Sequence, residues 1–106
     1  MVNMKLWIDD VRPAPAGYVW CKTTNDAKDV INCIETDEWF VNDPIEIIDI
    51  DHDAGEFAVC GGDYIKLLDW LEETGRNYPI RIHSMNPVGV ENMRRIIQKN
   101  CWTEVR

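Results

Sequence analysis

The chain has 106 residues, the length of one domain with one core, and residues 1–106 read as that single domain. Nineteen acidic residues against eleven basic ones give a net charge of −8. This argues against a broad surface for duplex nucleic acid, which needs a field of Lys and Arg. No apolar run approaches the ~20 residues of a membrane helix, and Asp9 and Asp10 stand where a signal peptide would continue its apolar region. The expectation is a cytoplasmic protein with no membrane partner.

Met4-Lys5-Leu6-Trp7-Ile8 is a short apolar run ended by two aspartates and predicts a buried strand. Tyr18 to Lys22 predicts a second. Thr24 is placed to cap the helix that follows, on which Ala27, Val30, Ile31 and Ile34 recur at helical spacing. Ile45 to Ile50 is β-branched and apolar, as a central strand is, and runs into Asp49, Asp51 and Asp53. Gly61-Gly62-Asp63 opens a helix with the stripe Tyr64, Leu67, Leu68 and Leu71, and Gly75 is its stop. Pro79 to His83 predicts a fourth strand. Asn86 and Pro87 form an N-cap and first-turn pair for a helix lined by Met93, Ile96 and Ile97, and Trp102 to Val105 predicts a last strand.

Strands alternating with helices imply a mostly parallel, helix-covered sheet. The first crossover is the exception. About ten residues, Asp9 to Tyr18, join the first two strands, and Pro13, Pro15 and Gly17 forbid a helix there. Either that crossover has no helix or the second strand runs the other way. Cys21, Cys33, Cys60 and Cys101 contain no C-x-x-C pair and are expected to be free thiols. The five tryptophans are expected to pack in and near the core, since a stacking groove for single strands would be basic.

In open α/β sheets ligands bind outside the carboxyl ends of the strands. The first strand ends in Asp9, Asp10 and Arg12, the third in Asp49, Asp51, His52 and Asp53, and the fourth in His83, Ser84 and Asn86. Both histidines and five of the nineteen acids thus fall on one edge. Without those five, fourteen acids face eleven bases, a surface of −3. Clustered carboxylates need a cation or a shared proton. Asp9, Asp10, Asp51 and Asp53 are therefore candidate ligands of a divalent cation, Mg²⁺ or Mn²⁺. His52, His83 and Asp51 are the candidate catalytic residues, with the imidazoles suited to proton transfer. Arg12, Ser84 and Asn86 are candidates for phosphate, Arg12 as a clamp and the others at a helix start with free N–H groups. Gly61 and Gly62 belong to no phosphate-loop or dinucleotide motif.

An acid pair after the first strand, an aspartate after the third and a hydroxyl after the fourth resemble the receiver domain of two-component signalling. By position Asp9 and Asp10 match its metal-binding acids, Asp51 its phospho-acceptor (with Asp49 as the alternative register) and Ser84 its switch hydroxyl. The segments Leu6 to Pro13, Asp51-His52-Asp53-Ala54-Gly55 and Arg81 to Pro87 more closely resemble the cyclic-phosphate-processing receiver-like family, known mainly from bacterial and phage genomes. That resemblance implies a three-layer, flavodoxin-like α/β fold. Its mostly parallel sheet would have four to five strands; a receiver has a helix between the first two, and this chain departs from the pattern in having no room for it. The resemblance also implies action on a cyclic phosphate ester: a small nucleotide, or a nucleic-acid end carrying a 2′,3′-cyclic phosphate. The receiver's lysine after the fifth strand has no counterpart among Thr103, Glu104, Val105 and Arg106. Three functions follow as expectations: a metal-assisted phosphoesterase, a regulatory receiver phosphorylated on Asp51, and a binding module without catalysis.

Overall fold

The computed structural model describes residues 4–36 and 45–106. Five strands, β1 (Met4–Ile8), β2 (Tyr18–Cys21), β3 (Ile45–Ile50), β4 (Ile80–Ile82) and β5 (Glu104–Val105), form one sheet in the order β2-β1-β3-β4-β5. Every neighbouring pair is parallel. The helices are α1 (Thr24–Thr36), α2 (Ile65–Glu73) and α3 (Pro87–Lys99), with a short 3-10 helix over Gly55–Val59. This is the flavodoxin-like strand order. β1 is followed outward by β2 on one side, while β3 continues on the other, so the crevice of the fold opens where Ile8 and Ile50 end.

The strand pleat sorts the side chains into two faces. Leu6, Ile8, Ile48, Ile50 and Ile80 are fully buried and form one cluster with Ala27 and Ile31 of α1, Leu67, Leu68 and Leu71 of α2, and Met93 and Ile97 of α3. The helices share one side of the sheet, where α2 touches both α1 and α3. The other face carries Trp20, Trp7, Asp49 and Arg81 in one register row and Tyr18 beside Lys5 in another. Among the described residues no helix covers it. The helix of a first crossover is absent there, as expected: Asp9 to Gly17 is too short and too proline-rich for one.

Two indoles stand in for that helix. Trp7 Nε1 donates to the Arg12 carbonyl at 2.9 Å, and Trp20 Nε1 donates to the Asp9 carbonyl at 2.8 Å. They bury part of the sheet face while tying down carbonyls that a helix would have paired internally. Trp102 is buried, Trp70 packs at the core margin under the Arg76 guanidinium, and Trp39 lies outside the described residues. The four cysteines are free, and burial followed by the Asp26 charge pushes the Cys21 thiol up to about 12.

The helix ends follow local chemistry, with one correction. The cap of α1 is Thr23, whose Oγ1 accepts the Asp26 N–H at 2.9 Å. Thr24 is inside the helix, and its hydroxyl donates to the Gly62 carbonyl at 3.0 Å instead. Gly75, at φ +70°, closes α2, and the Arg76 N–H returns to the Leu71 carbonyl. Asn86 Oδ1 accepts the Gly89 N–H at 3.0 Å, with Pro87 in the first turn. No helix among the described residues is long and apolar enough to cross a membrane.

Glu35 ties α1 to the segment after α2. Arg76 Nε donates to both its oxygens, at 2.9 and 3.0 Å, and the Tyr78 hydroxyl donates to Oε2. Burial pushes the Glu35 carboxyl up, but Arg76 and Tyr78 outweigh it and hold it below its ordinary 4.5. A depressed folded value means that stability from Glu35 is complete above the unfolded value near 4.5. It is lost as pH falls through the lower folded value. Glu35→Gln is expected to cost about 1–2 kcal/mol at pH 7 and to show a shallower loss on acidification. Urea unfolding at pH 7 and pH 3 checks this; equal losses in both proteins would remove Glu35 as the cause.

Candidate functional site

β1 and β3 pair with Trp7 opposite Asp49 and Ile8 opposite Ile50, so Asp9 and Asp51 leave the sheet side by side. The Asp51 N–H donates to the Ile8 carbonyl at 2.9 Å, extending the ladder by one bond. Asp10 follows at once. One carboxylate oxygen from each of Asp9, Asp10 and Asp51 lies within 4.8 Å of the other two. Gly55 makes this packing feasible. It has φ +58°, and a Cβ there would come 2.5 Å from Asp10 Oδ2.

The three acids differ in their surroundings. Asp9 is 1% exposed. Its Oδ1 accepts the N–H groups of Val11 and Arg12, both at 2.9 Å, and its Oδ2 faces His83 Nε2 at 2.9 Å. Burial pushes this carboxyl up, but the two backbone donors and His83 hold it below its ordinary value. Asp10 moves the other way. Burial raises it, and the charges of Asp9 and Asp51 raise it further against its own backbone N–H. Asp51 Oδ1 accepts the His52 N–H at 2.7 Å. Three hard oxygens, two held by backbone donors and one pushed up first by burial and then by its charged neighbours, form a group that could hold a metal ion. Asp53, expected as a fourth ligand, is not part of this group. It is largely exposed, with Oδ1 on His52 Nδ1 at 2.7 Å and Oδ2 near Asn86 Nδ2 at 3.5 Å.

Arg12, Asp51, Asp53, Ser84, Met85 and Asn86 line a cleft of about 310 Å³. The three residues expected to meet phosphate therefore share one cavity with Asp51. Ser84 Oγ accepts the Asn86 N–H at 3.2 Å, which shapes the entry into α3.

The two histidines have different roles in the geometry. His52 packs against the first turn of α3 at Gly89, where a Cβ would fall 2.6 Å from the imidazole Cδ2. Its Nδ1 is held by Asp53. His83 has both ring nitrogens on carboxylates, Nδ1 on Asp49 Oδ1 at 2.6 Å and Nε2 on Asp9 Oδ2 at 2.9 Å. Its ring lies flat on the Trp7 indole, with centroids 3.9 Å apart and planes at 6°. Asp49 is fully buried, and its Oδ2 pairs with Arg81 Nη1 at 3.3 Å.

Residues 4–99 match the family model described as the cyclic-phosphate processing receiver domain. The chain belongs to that family. No curated protein and no solved structure gives a match. The resemblance read from the sequence segments is therefore established over nearly the whole described chain. As a family member this is a receiver-like domain linked by its description to cyclic-phosphate processing. Trp7, Asp49 and Arg81, with Gly55 and Gly89, take parts in the site that their sequence positions do not give them; Asp49 is expected only as a strand-end acid and the alternative phospho-acceptor register. The strand period of two held the signal for the first three. Trp7 precedes Asp9 by two residues, Asp49 precedes Asp51 by two and Arg81 precedes His83 by two, so each pair shares a sheet face. The two glycines act across long sequence separations and left no local sign.

Proposed function

We propose that this domain opens a cyclic phosphate ester carried by a small nucleotide or a nucleic-acid end. The observation behind this reading is that Asp51 belongs both to the acidic trio and to the cleft lined by Arg12, Ser84 and Asn86. Asp9, Asp10 and Asp51 would hold a divalent cation, which when bound neutralises phosphate charge and acidifies water. Arg12 is suited to clamp two phosphate oxygens, and Ser84 with the α3 start offers neutral donors. Opening the ring adds water to phosphorus and breaks one P–O bond, giving a monoester and a free hydroxyl. Water must lose a proton and the leaving oxygen must gain one. His52 is fitted to take the first proton, because Asp53 holds Nδ1–H and leaves Nε2 as the acceptor. His83 is the candidate for the second, once its Nε2 leaves Asp9.

The test is turnover of a panel of 2′,3′- and 3′,5′-cyclic nucleotides with Mg²⁺ or Mn²⁺. Product monoester with at least one member is the expected result; none from folded protein with either metal overturns the reading. The proximity of Ser84 to Asp51 in one cleft favours a second reading, phosphorylation of Asp51 as in a receiver. Acetyl phosphate followed by intact mass separates the two, since an adduct absent from Asp51→Ala and no cyclic-ester turnover would favour the receiver. Binding of a phosphate ester with neither outcome would leave the domain as a binding module.

A further inference from the structure

Asp9 has little freedom left as a ligand. A carboxylate offers about four lone-pair directions. The N–H groups of Val11 and Arg12 take two on Oδ1, and His83 Nε2 takes one on Oδ2. Which direction remains depends on where the His83 ring sits. That ring is located by Trp7 beneath it and by Asp49 at Nδ1. Asp49 is fully buried on the uncovered sheet face, one pleat behind Asp51, and the half-exposed Arg81 pairs with it from the solvent side. A buried carboxylate at this position is costly to desolvate unless its partners are fixed. Its side-chain hydrogen bonds run to His83 and Arg81, neither of which lines the cleft.

We infer that Asp49 is the positioning residue of the cation site, holding His83 so that Asp9 keeps a single lone pair for the metal. The inference rests on the acidic trio being a cation site. It extends the ligand set by a layer that runs along the uncovered face of the sheet through Asp49, His83 and Asp9. Outer partners of metal ligands typically change affinity by about 10–100-fold when removed. A residue important for packing alone would change the melting temperature and leave metal affinity at lower temperature unchanged.

The experiment is Mn²⁺ binding by electron paramagnetic resonance, well below the melting temperature, on wild type, Asp49→Asn and Arg81→Met. Asp49→Asn is expected to weaken Mn²⁺ by about tenfold or more. Arg81→Met, which removes a half-exposed partner of Asp49 and leaves the core intact, is expected to weaken it by about two- to fivefold. In parallel, the Nε2 nitrogen resonance of His83 should move on Mg²⁺ addition in wild type and move less in the variants. Wild-type affinity in whichever variant folds overturns the inference. So does a wild-type protein that binds no Mn²⁺, which would also remove the cation from the proposed reaction. Weakened Mn²⁺ in the variants with no cyclic-ester turnover by wild type would support the positioning role and overturn the proposed reaction alone.

Discussion

Asp51→Asn is expected to lower cyclic-ester turnover by about 10³-fold, the loss of several kcal/mol of transition-state stabilisation. The same substitution should leave the metal-free fold intact or slightly more stable. Asparagine keeps the oxygen that accepts the His52 N–H, so the loop after β3 retains its first contact. It removes a charge that pushes the Asp10 carboxyl up, and with it part of the repulsion inside the trio. A gain of about 0.5–1 kcal/mol corresponds to about 2–4 °C for a chain of this size. Wild type behaves oppositely toward the cation. At a Mg²⁺ concentration of 100 times Kd, binding to the folded state adds about 2.7 kcal/mol, or about 10 °C. Thermal melts with and without Mg²⁺ should therefore cross: the variant melts higher without the ion and lower with it. A variant that retains the Mg²⁺ shift would show that Asp51 does not hold the cation. One that melts well below wild type without metal would show that Asp51 is a structural residue.

Gly89→Ala should be damaging although it replaces glycine by the best helix former. In a helix this exchange normally gains about 1 kcal/mol. Gly89 is buried in the first turn of α3, and the His52 ring lies where its Cβ would go, with Nδ1 2.8 Å and Cδ2 2.6 Å away. Those atoms belong to the body of the ring, so small side-chain adjustments cannot clear them. Overpacking of this kind costs about 1–3 kcal/mol, which exceeds the propensity gain. The expected net is a loss of about 1–2 kcal/mol, or about 4–8 °C. The displaced imidazole would also leave Asp53, and turnover should fall by about 10²-fold or more if His52 moves the proton. Val88→Ala, one residue earlier and largely exposed, should stay within about 0.5 kcal/mol of wild type. Calorimetry and turnover on both variants decide the matter. A stabilised Gly89→Ala would mean that His52 moves away freely and is not held where the reaction needs it.

Much of the acidic edge was legible because strand ends are local events. An apolar run that stops at Asp9-Asp10, another that stops at Asp51 and a third at His83 already place these groups on one rim once the strands are parallel. The Asn86-Pro87 start of α3 and the Gly75 end of α2 were equally readable, each being decided within four or five residues. The cap of α1 lies one position earlier than the sequence suggests, because Thr23 and Thr24 offer the same hydroxyl and only backbone direction tells them apart. Its place among the acids at the end of β3 makes Asp53 a candidate metal ligand by sequence. Its side chain turns toward His52 and Asn86, a choice made by packing against α3.

The sequence by itself determined a mostly parallel α/β fold with its acids at the strand ends and no helix in the first crossover. Hydrophobic period, proline and charge act within a few residues and leave marks that can be read in order. Only the tertiary structure decided that β2 is parallel to β1, that Trp7 and Trp20 take the place of the missing helix, and that His83 is held between Asp9 and Asp49. It also decided that Gly55 and Gly89 are glycines because Asp10 and His52 occupy the space a Cβ would fill. These are contacts between strands and loops far apart in the chain, and they exist only once the helices have been packed onto one face of the sheet and the other face left to side chains.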